Sequence, residues 1–353
     1  MQLHSTTLDQ FKQWLIGHGE KAFRAEQIFD WIYQKQESSF EKMTNLPLSL
    51  RDVLQKDITA SSIDLVKTED SKDGETIKFL WRLHDGKLVE SVLISAPGRK
   101  TVCVSSQVGC PARCAFCASG KEGLMRNLSS AEIFEQVYKI NQKLAHKGER
   151  VSHVVFMGMG EPFENYDAVV EAMDLLCDPY RLNISERRIT VSTVGVIEGI
   201  KKLARENRKV NLVLSLHAPN QHIRKKIIPY ARKYDIHDII GAMLEYASAT
   251  KRDITYEYTL LADINDKEEH ATELALLLKG QPCTVNLIPY NPVEGLHLKR
   301  PEKEQIELFR EILQRKGIET TWRYTKGKDI AAACGQLALK KEESTSPLAL
   351  ATT

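Results

Sequence analysis

Long apolar runs are absent from this chain of 353 residues. No stretch approaches the roughly 18 consecutive apolar residues that cross a bilayer, and residues 1–10 contain no basic start followed by an apolar run. We therefore expect neither a transmembrane helix nor a secretory signal, and a cytoplasmic location. A large charge imbalance is absent as well, since the formal net charge is only +2. This net charge does not by itself indicate a nucleic-acid partner. With 42% hydrophobic residues, the chain can bury a substantial core.

Several common binding fingerprints are also missing. The segment from Gly158 to Pro162 (Gly-Met-Gly-Glu-Pro) lacks the spacing of a dinucleotide-binding or P-loop motif. The acidic segment from Asp263 to His270 lacks the central glycine and the distal glutamate of an EF-hand, so it predicts a loop and a helix start. The sequence shows no internal repeat beyond an alternation of strands and helices.

Three of the seven cysteines lie within one short segment, Cys110-Pro-Ala-Arg-Cys114-Ala-Phe-Cys117. No second C-x2-C pair and no H-x3-5-H pair follows, which disfavours a structural zinc ion with four ligands. A disulfide framework is typical of short secreted chains, and this chain is long. Three thiolates on a cluster of four irons leave one iron open for a substrate or cofactor. The spacing therefore favours an iron–sulfur cluster shielded by Phe116, over three unrelated buried cysteines.

The hydrophobic pattern predicts three regions. Residues 8–57 show helical spacing, residues 61–100 show the short alternation of an antiparallel sheet, and the remainder alternates strand and helix. Six such units indicate an α/β partial barrel, although the pattern alone also allows a doubly wound sheet. Predicted strands are 100–106, 151–157, 187–193, 209–216, 253–261 and 283–288, with a last strand from Glu319 to Tyr324; predicted helices are 129–146, 166–177, 195–206, 233–248, 267–279 and 302–316.

The cysteine segment resembles the signature of radical S-adenosylmethionine (SAM) enzymes. Together with Cys103-Val-Ser-Ser-Gln-Val-Gly-Cys110, Phe156-Met-Gly-Met-Gly-Glu-Pro162 and Ala333-Cys334-Gly-Gln-Leu337, it resembles the RlmN/Cfr family of RNA adenine methyltransferases, from about Phe23 to Leu337. The resemblance implies a partial (βα)6 radical SAM barrel with a small N-terminal helical accessory domain and a short antiparallel β extension. We expect a helical RNA-binding domain over 1–60, the β extension over 61–98, the barrel over 99–338 and a disordered tail over 339–353.

The resemblance also implies the site residues. Cys110, Cys114 and Cys117 would hold one [4Fe-4S] cluster. SAM would contact residues that follow successive strands: Gly160, Glu161, Ser192, Ser215, Leu216, His217 and Asn291. In the family, Cys334 is methylated and carries the methylene group to RNA, Cys103 is its disulfide partner, and Glu90 is the proton acceptor. From the residues alone, Glu90 is equally a surface carboxylate, and the apolar surroundings of Cys177 and Cys283 indicate ordinary packing.

The chemistry explains why such an enzyme uses a thiol and a radical. Carbon 2 of adenine lies between two ring nitrogens and is electron-poor, so it does not attack the methyl group of SAM as a nucleophile. A thiolate such as that of Cys334 accepts the methyl group by simple displacement. A second SAM would then give a 5′-deoxyadenosyl radical, which activates the methyl group for addition to the ring. Glu90 or Cys103 would remove the ring proton, and Cys103 would attack Cys334 to release the product.

The resemblance implies 23S rRNA and tRNA substrates, with methylation of an adenosine in the peptidyl transferase centre and of one next to the anticodon. It also implies an electron donor such as flavodoxin or ferredoxin, and we expect a monomer. Basic residues offer phosphate contacts or form solvated surfaces. One set lies between residues 201 and 233: Lys201-Lys202, Arg205, Arg208-Lys209, Arg224-Lys225-Lys226 and Arg232-Lys233. The other set lies in the N-terminal region: Lys21, Arg24, Lys35, Lys42 and Arg51.

Three alternatives remain at this stage. A Cfr-like enzyme would methylate adenine at carbon 8 and confer antibiotic resistance, but Gln107-Val108-Gly109 and Glu161-Pro162 are more similar to the carbon-2 type. The segment from Ala118 to Lys121 does not discriminate between the two types. A non-catalytic iron–sulfur RNA-binding redox sensor is disfavoured by the presence of both Cys103 and Cys334. A radical SAM enzyme acting on a small metabolite is disfavoured by the helical N-terminal region.

Overall fold

A ten-stranded sheet forms the centre of the molecule in the computed structural model, which describes residues 1–59, 61–322 and 326–338. Its first strands are antiparallel and its last seven run parallel, which is the arrangement expected of a partial barrel. In sheet order the strands are β1 Ile63–Asp70, β2 Thr76–Leu83, β3 Leu88–Ala96, β4 Arg99–Cys103, β7 His153–Phe156, β8 Ile189–Thr193, β9 Asn211–Ser215, β10 Ile254–Leu260, β11 Cys283–Pro289 and β12 Glu319–Trp322. A separate two-stranded hairpin pairs β5 Gln107–Gly109 with β6 Leu124–Asn127.

The sequence pattern located every parallel strand, with ends that differ by a few residues. The predicted end of the last strand, Tyr324, and the predicted tail over 339–353 lie outside the described residues. Helices pack around the parallel strands. They are α4 Ser130–Ala145, α5 Tyr166–Cys177, α6 Ile197–Arg205, α7 Gln221–Ile227, α8 Ile236–Thr250, α9 Glu268–Leu277 and α10 Lys303–Arg315. The sequence pattern predicted all of these helices except the short α7.

The antiparallel extension is continuous with the barrel. Strand β3 pairs with β4 from Val92–Cys103 to Ala96–Arg99, and β4 in turn pairs in parallel with β7. Because the ladder is unbroken, β1 to β3 form one edge of the barrel sheet. This continuity places Glu90, on β3, beside the interior of the barrel.

The N-terminal region is helical, as predicted. It contains α1 Leu8–Gly17, α2 Arg24–Phe29 with a π-helical turn after it, and α3 Leu48–Asp57. The helix α1 begins at Thr7, whose hydroxyl accepts from the backbone N–H of Gln10 in a capping box. Apolar residues of these helices belong to the same hydrophobic core as the barrel.

A buried arginine joins the helical region to the barrel. Arg181 follows α5 and is 2% exposed, and its guanidinium donates to the backbone carbonyls of His4 and Thr6 and to the hydroxyl of Tyr33. Asp178 pairs with the same guanidinium at 3.2 Å. These contacts fix the first helices against the outer face of the barrel. In the described part of the chain, no helix combines the length and apolar character needed to span a bilayer.

Candidate active site

The three clustered cysteines lie on a loop that the β5–β6 hairpin closes. Gly109 ends β5 with a φ of +80°, and a Cβ there would lie 2.0 Å from the carbonyl oxygen of Gly123. Only glycine permits this close approach, which lets the N–H of Cys110 donate to that same carbonyl at 3.0 Å. The far side of the loop is held by α7, because the N–H of Ala115 donates to the carbonyl of Ile227 at 2.8 Å. The backbone is therefore bent so that its thiols face the barrel mouth.

The surroundings of the three thiols fit an iron–sulfur cluster. Burial raises the pKa of Cys110 to about 12 and raises the pKa of Cys114 and of Cys117, so the thiolates need a nearby positive group. Apolar side chains pack around them, including Phe116. Among the described residues, no three His, Cys, Asp or Glu side chains converge on a point that would hold a single metal ion. In a cubane each thiolate binds a different iron, so such convergence is not required.

A cavity of about 130 Å³ separates the cysteine loop from the ends of the parallel strands. Glu161 lines it and follows β7. Its carboxylate accepts from the hydroxyl of Thr193 at 2.7 Å and from the backbone N–H groups of Val194 and Phe163 at 2.8 and 3.0 Å. Burial raises the pKa of Glu161 to about 7, and these hydrogen bonds offset part of that effect. The cavity therefore offers a buried carboxylate in a fixed orientation.

Gly160 brings the backbone close to this cavity. Its φ is +112°, and a Cβ there would lie 2.7 Å from the hydroxyl oxygen of Ser106. The next N–H, that of Glu161, donates to the side-chain oxygen of Gln107 at 2.8 Å. Any side chain at position 160 would therefore meet Ser106 and Gln107.

The other predicted SAM residues fall at the same rim, with one exception. Ser192 and Ser215, at the ends of β8 and β9, line the cavity with their hydroxyl oxygens 3.1 Å apart. His217 also lines it, in a left-handed backbone conformation with a φ of +54°. The side chain of Leu216 instead packs in the hydrophobic core, so it reaches a ligand only through its backbone.

His217 is held as a neutral imidazole. Burial, together with the nearby charge of Arg224, lowers the pKa of His217 to about 3. Its Nδ1 accepts from the backbone N–H of Thr259 at 2.9 Å, which leaves the proton on Nε2. The ring packs edge-on against Phe116, with 4.9 Å between the ring centroids. This side chain is therefore a fixed hydrogen-bond donor at the barrel mouth.

A second cavity of about 510 Å³ occupies the barrel interior. Cys103 and Cys334 both line it, and Cys334 also lines the smaller cavity beside the cysteine loop. Asn291 lines both cavities and donates from Nδ2 to the backbone carbonyl of Cys334 at 3.2 Å. The N–H of Ala118 donates to the carbonyl of Gly335 at 2.8 Å, which joins the segment of Cys334 to the cysteine loop. Cys334, an exposed residue, thus lines both spaces.

Glu90 is a buried carboxylate, and the alternative of a surface carboxylate is wrong. It is 1% exposed and lies in the part of β3, Leu88 to Leu93, in which every residue is buried. One oxygen lies 3.4 Å from the ammonium of Lys78, and the other accepts from the backbone N–H of Ala338 at 3.0 Å. Ala338 lies four residues after Cys334, so this hydrogen bond links Glu90 to the segment that contains Cys334.

The sequence missed two site residues and misplaced a third. Glu257, on β10, lines both cavities, and Thr193 orients Glu161. Arg224 was predicted on a solvated basic surface, and it is completely buried behind the strand ends. Whether these polar groups are buried depends on tertiary packing. A single sequence indicates such burial only where a polar residue interrupts an apolar strand, as Glu257 does in β10.

Comparisons with known proteins agree with this geometry. Residues 1–59 match the model of the ribosomal RNA large subunit methyltransferase N-terminal domain, and residues 104–275 match the radical SAM superfamily. The chain is 64% identical over 336 residues to the probable dual-specificity RNA methyltransferase RlmN 2 of Protochlamydia amoebophila, covering 95% of this chain and 94% of that protein. The chain belongs to the RlmN family. It is therefore a SAM-dependent RNA methyltransferase whose cofactors are SAM and a [4Fe-4S] cluster.

A second RlmN relative and one solved structure extend the comparison. The probable RlmN of Bacillus subtilis is 44% identical over 341 residues, which cover 97% of this chain and 94% of that protein. A crystal structure of a radical SAM methyltransferase from Sphaerobacter thermophilus matches with a TM-score of 0.93 at 43% identity, covering 96% of this chain and 99% of that one. The RlmN fold therefore includes the helical N-terminal region and the radical SAM barrel as predicted.

Proposed function

We propose that this enzyme methylates carbon 2 of one adenosine in 23S rRNA, at the peptidyl transferase centre, and of the adenosine next to the anticodon in some tRNAs. The observation that carries the proposal is the position of Cys334. Its thiol lines the cavity beside the cysteine loop and also the barrel interior that contains Cys103. A methyl carrier needs access to both the methyl donor and a resolving thiol, and this residue has both.

The proposed cofactor contacts follow from the two cavities. We assign Cys110, Cys114 and Cys117 as the cluster ligands. The carboxylate of Glu161, next to the closely packed backbone of Gly160, would bind the amino group of SAM. Polar groups at the other strand ends would orient the rest of the molecule: Ser192, Ser215, the backbone of Leu216, His217 and Asn291. Together these groups would orient the cofactor and limit its contact with water.

Three side chains act in the reaction. The thiolate of Cys334 would attack the methyl carbon of a first SAM, forming a carbon–sulfur bond as the bond to the sulfonium breaks and S-adenosylhomocysteine leaves. When bound, the cluster and a second SAM supply the radical chemistry that activates this methyl group for addition to carbon 2. Glu90 or Cys103 would remove the ring proton while the ring adduct gives up its odd electron to the cluster. Cys103 would then attack the sulfur of Cys334, so that the carbon–sulfur bond breaks, its electron pair takes up a proton to complete the methyl group on carbon 2, and a disulfide remains for a thiol reductant to reopen.

RNA would reach the barrel mouth along basic surfaces. Lys225 and Lys226 on α7 are exposed and next to the cysteine loop, whereas Lys202 is paired with Asp167 at 2.7 Å. The predicted RNA contact by Arg224 is wrong, because its burial leaves no surface to offer. We propose that the helical region over residues 1–60 contributes to RNA binding. We also propose that residues 61–98 form the β extension and that residues 99–338 form the catalytic barrel. Flavodoxin or ferredoxin would deliver electrons to a monomeric enzyme in the cytoplasm.

Mass spectrometry of the RNA product tests the proposal. Anaerobically reconstituted enzyme is incubated with SAM, a reductant and unmodified 23S rRNA or tRNA, and the digested adenosines are identified. We expect 2-methyladenosine with the wild type and with Cys177→Ala, and none with Cys334→Ala. Formation of 8-methyladenosine would replace the proposed function by the Cfr-like one. Cleavage of SAM without any methylated adenosine would refute the RNA substrate.

A further inference from the structure

Arg224 is a completely buried arginine whose function is not explained by the reaction described above. It lies on α7 between the buried Ile223 and the exposed Lys225, and its exposed fraction is 0%. Arginine is almost never fully buried in proteins unless its charge is paired. Within the part of the chain that the structure describes, Arg224 forms no salt bridge with a carboxylate, and its Nη1 has no hydrogen-bond partner. A buried, uncompensated positive charge is costly, so its position calls for a negative group nearby.

The guanidinium of Arg224 holds the ends of two strands behind the cavity of about 130 Å³, in which we propose that SAM binds. Its Nε donates to the carbonyl of Leu216 at 3.2 Å, and its Nη2 donates to the carbonyls of Val194 and Ser215 at 2.5 and 3.3 Å. These carbonyls belong to the segments that follow β8 and end β9. Arg224 therefore contributes to the rim from which Ser215 and His217 reach the cavity.

The nearest charged groups lie toward the cysteine loop. Ile223 and Ile227, on either side of Arg224, pack in the same apolar cluster as Cys110, Cys114 and Cys117. Burial lowers the pKa of Arg224 to about 10, while Cys114 and Glu161 act in the opposite direction through their charges. Even at this pKa the guanidinium remains charged at neutral pH, so it is a permanent cation beside the thiols.

A cation in this position acts on the cluster that the thiols would hold. Reduction adds one negative charge to a cluster that is already negative with three thiolate ligands. A nearby positive charge in a medium of low dielectric constant stabilises the more negative state more strongly. The reduction potential of an iron–sulfur cluster depends on such local charge and on exclusion of water.

We propose that Arg224 is a positioning residue that raises the reduction potential of the [4Fe-4S] cluster through its buried charge and fixes the SAM-binding ends of β8 and β9 through its hydrogen bonds. The inference rests on the proposed assignment of Cys110, Cys114 and Cys117 as ligands. The side chain of Arg224 would contribute in two ways: its charge acts on the cluster, and the N–H groups of its planar guanidinium bind the strand ends.

Redox titration of the reconstituted full-length protein, followed by electron paramagnetic resonance, measures the first contribution. For Arg224→Gln, which removes the charge, we expect the ratio of reduced to oxidised cluster at a given solution potential to fall about tenfold, or ~59 mV for a one-electron couple. For Arg224→Lys, which retains the charge, we expect a ratio within about threefold of the wild type and a weaker affinity for SAM. Lys225→Gln, at the exposed neighbouring position, is the matched control and is expected to leave the ratio unchanged.

Iron content and absorbance are measured before the titration. Loss of the cluster in Cys114→Ala supports the ligand assignment, and its retention would overturn both that assignment and this inference. An Arg224→Gln protein with the iron content and the midpoint potential of the wild type would refute the role of the charge. If Arg224→Gln loses iron, Arg224→Lys decides: a wild-type ratio supports the inference, and a tenfold fall contradicts it.

Discussion

Cys334 and Cys103 line the barrel interior although they lie far apart in the sequence, and Glu90 is joined by a hydrogen bond to the segment that contains Cys334. Cys103 ends β4, Glu90 lies on the adjacent β3, and the segment after β12 returns Cys334 and Ala338 to them. The hydrogen bond from the N–H of Ala338 to Glu90 ties the proposed base to the loop of the proposed carrier. Positioning of this kind supplies much of the rate of an enzyme whose cofactor performs the difficult chemistry.

Binding of SAM should depend on the ionisation of Glu161. Burial raises the pKa of this carboxyl group to about 7, so the carboxylate that would bind the SAM amino group is lost as the pH falls below 7. Between pH 8 and pH 6 we expect the affinity for SAM to weaken by about tenfold. Because the native pKa exceeds the ordinary value, the ligand-free protein should also lose stability as the pH rises from about 4.5 to about 7. Calorimetric titration with SAM at several pH values measures the first effect.

Glu161→Gln is the control for this pH dependence. The amide does not titrate, so its affinity for SAM should be weak and nearly constant over the same range. A wild-type affinity that does not change between pH 6 and pH 8 would show that Glu161 does not bind the amino group as a carboxylate.

At the residue scale, the sequence showed the chemistry where spacing or composition marks it. The three thiols were predicted from their spacing, whereas Gly160 and Glu161 were predicted only from the resemblance to radical SAM enzymes. Arg224 was misplaced because its neighbours Lys225 and Lys226 are exposed, and only the packing of α7 against the cysteine loop buries it. Glu257 was missed because a single carboxylate in an apolar strand has no local signal of its function.

The β5–β6 hairpin and the cysteine loop form one structural element. The hairpin is held by close backbone contact at Gly109 rather than by an apolar core of its own. Its closing hydrogen bond, from Cys110 to Gly123, positions the first proposed cluster ligand. The sequence did not predict this hairpin, because its strands are short and contain few β-branched residues.

Substitution of Gly109 should release this loop. In Gly109→Ala the new methyl group would lie 2.0 Å from the carbonyl oxygen of Gly123, so the hairpin must open and the protein should bind less iron on reconstitution. Gly86→Ala is the matched control, because Gly86 has a φ of +79° and nothing within 4 Å of the added methyl group. The control should lose only about 1 kcal/mol of stability from backbone strain and keep its iron. Equal iron content in both variants would contradict the role of the hairpin.

The contact between the N-terminal helices and the barrel should depend on Arg181. Arg181→Met removes the guanidinium that donates to the buried carbonyls of His4 and Thr6, which should cost about 2 to 4 kcal/mol. We expect faster hydrogen exchange over residues 1–59, with little change in the barrel. Arg150→Met is the control, since Arg150 is exposed and donates to the single carbonyl of Leu182. Similar exchange in the two variants would contradict this account of the interface.

At the scale of the whole molecule, alternation of strands and helices predicted the order of the barrel, and its curvature could not be predicted from that pattern. The helical region, the antiparallel extension and the barrel share one core. This arrangement leaves the mouth of the barrel as the place where Cys334 and both cavities meet, and where we propose that RNA enters. The sequence contains no local signal for these long-range contacts, such as the one between Arg181 and His4.

The central claim is that Cys334 carries the carbon that reaches RNA, and isotope labelling tests it most directly. Enzyme is first incubated with SAM bearing a trideuterated methyl group, freed of small molecules, and then given unlabelled SAM, a reductant and a limiting amount of RNA. Because one deuterium is removed from the S-methyl group before transfer, the methyladenosine of the first turnover should contain two deuterium atoms. A product with no deuterium, or with all three, would show that the methyl group does not pass through an activated S-methyl group on Cys334.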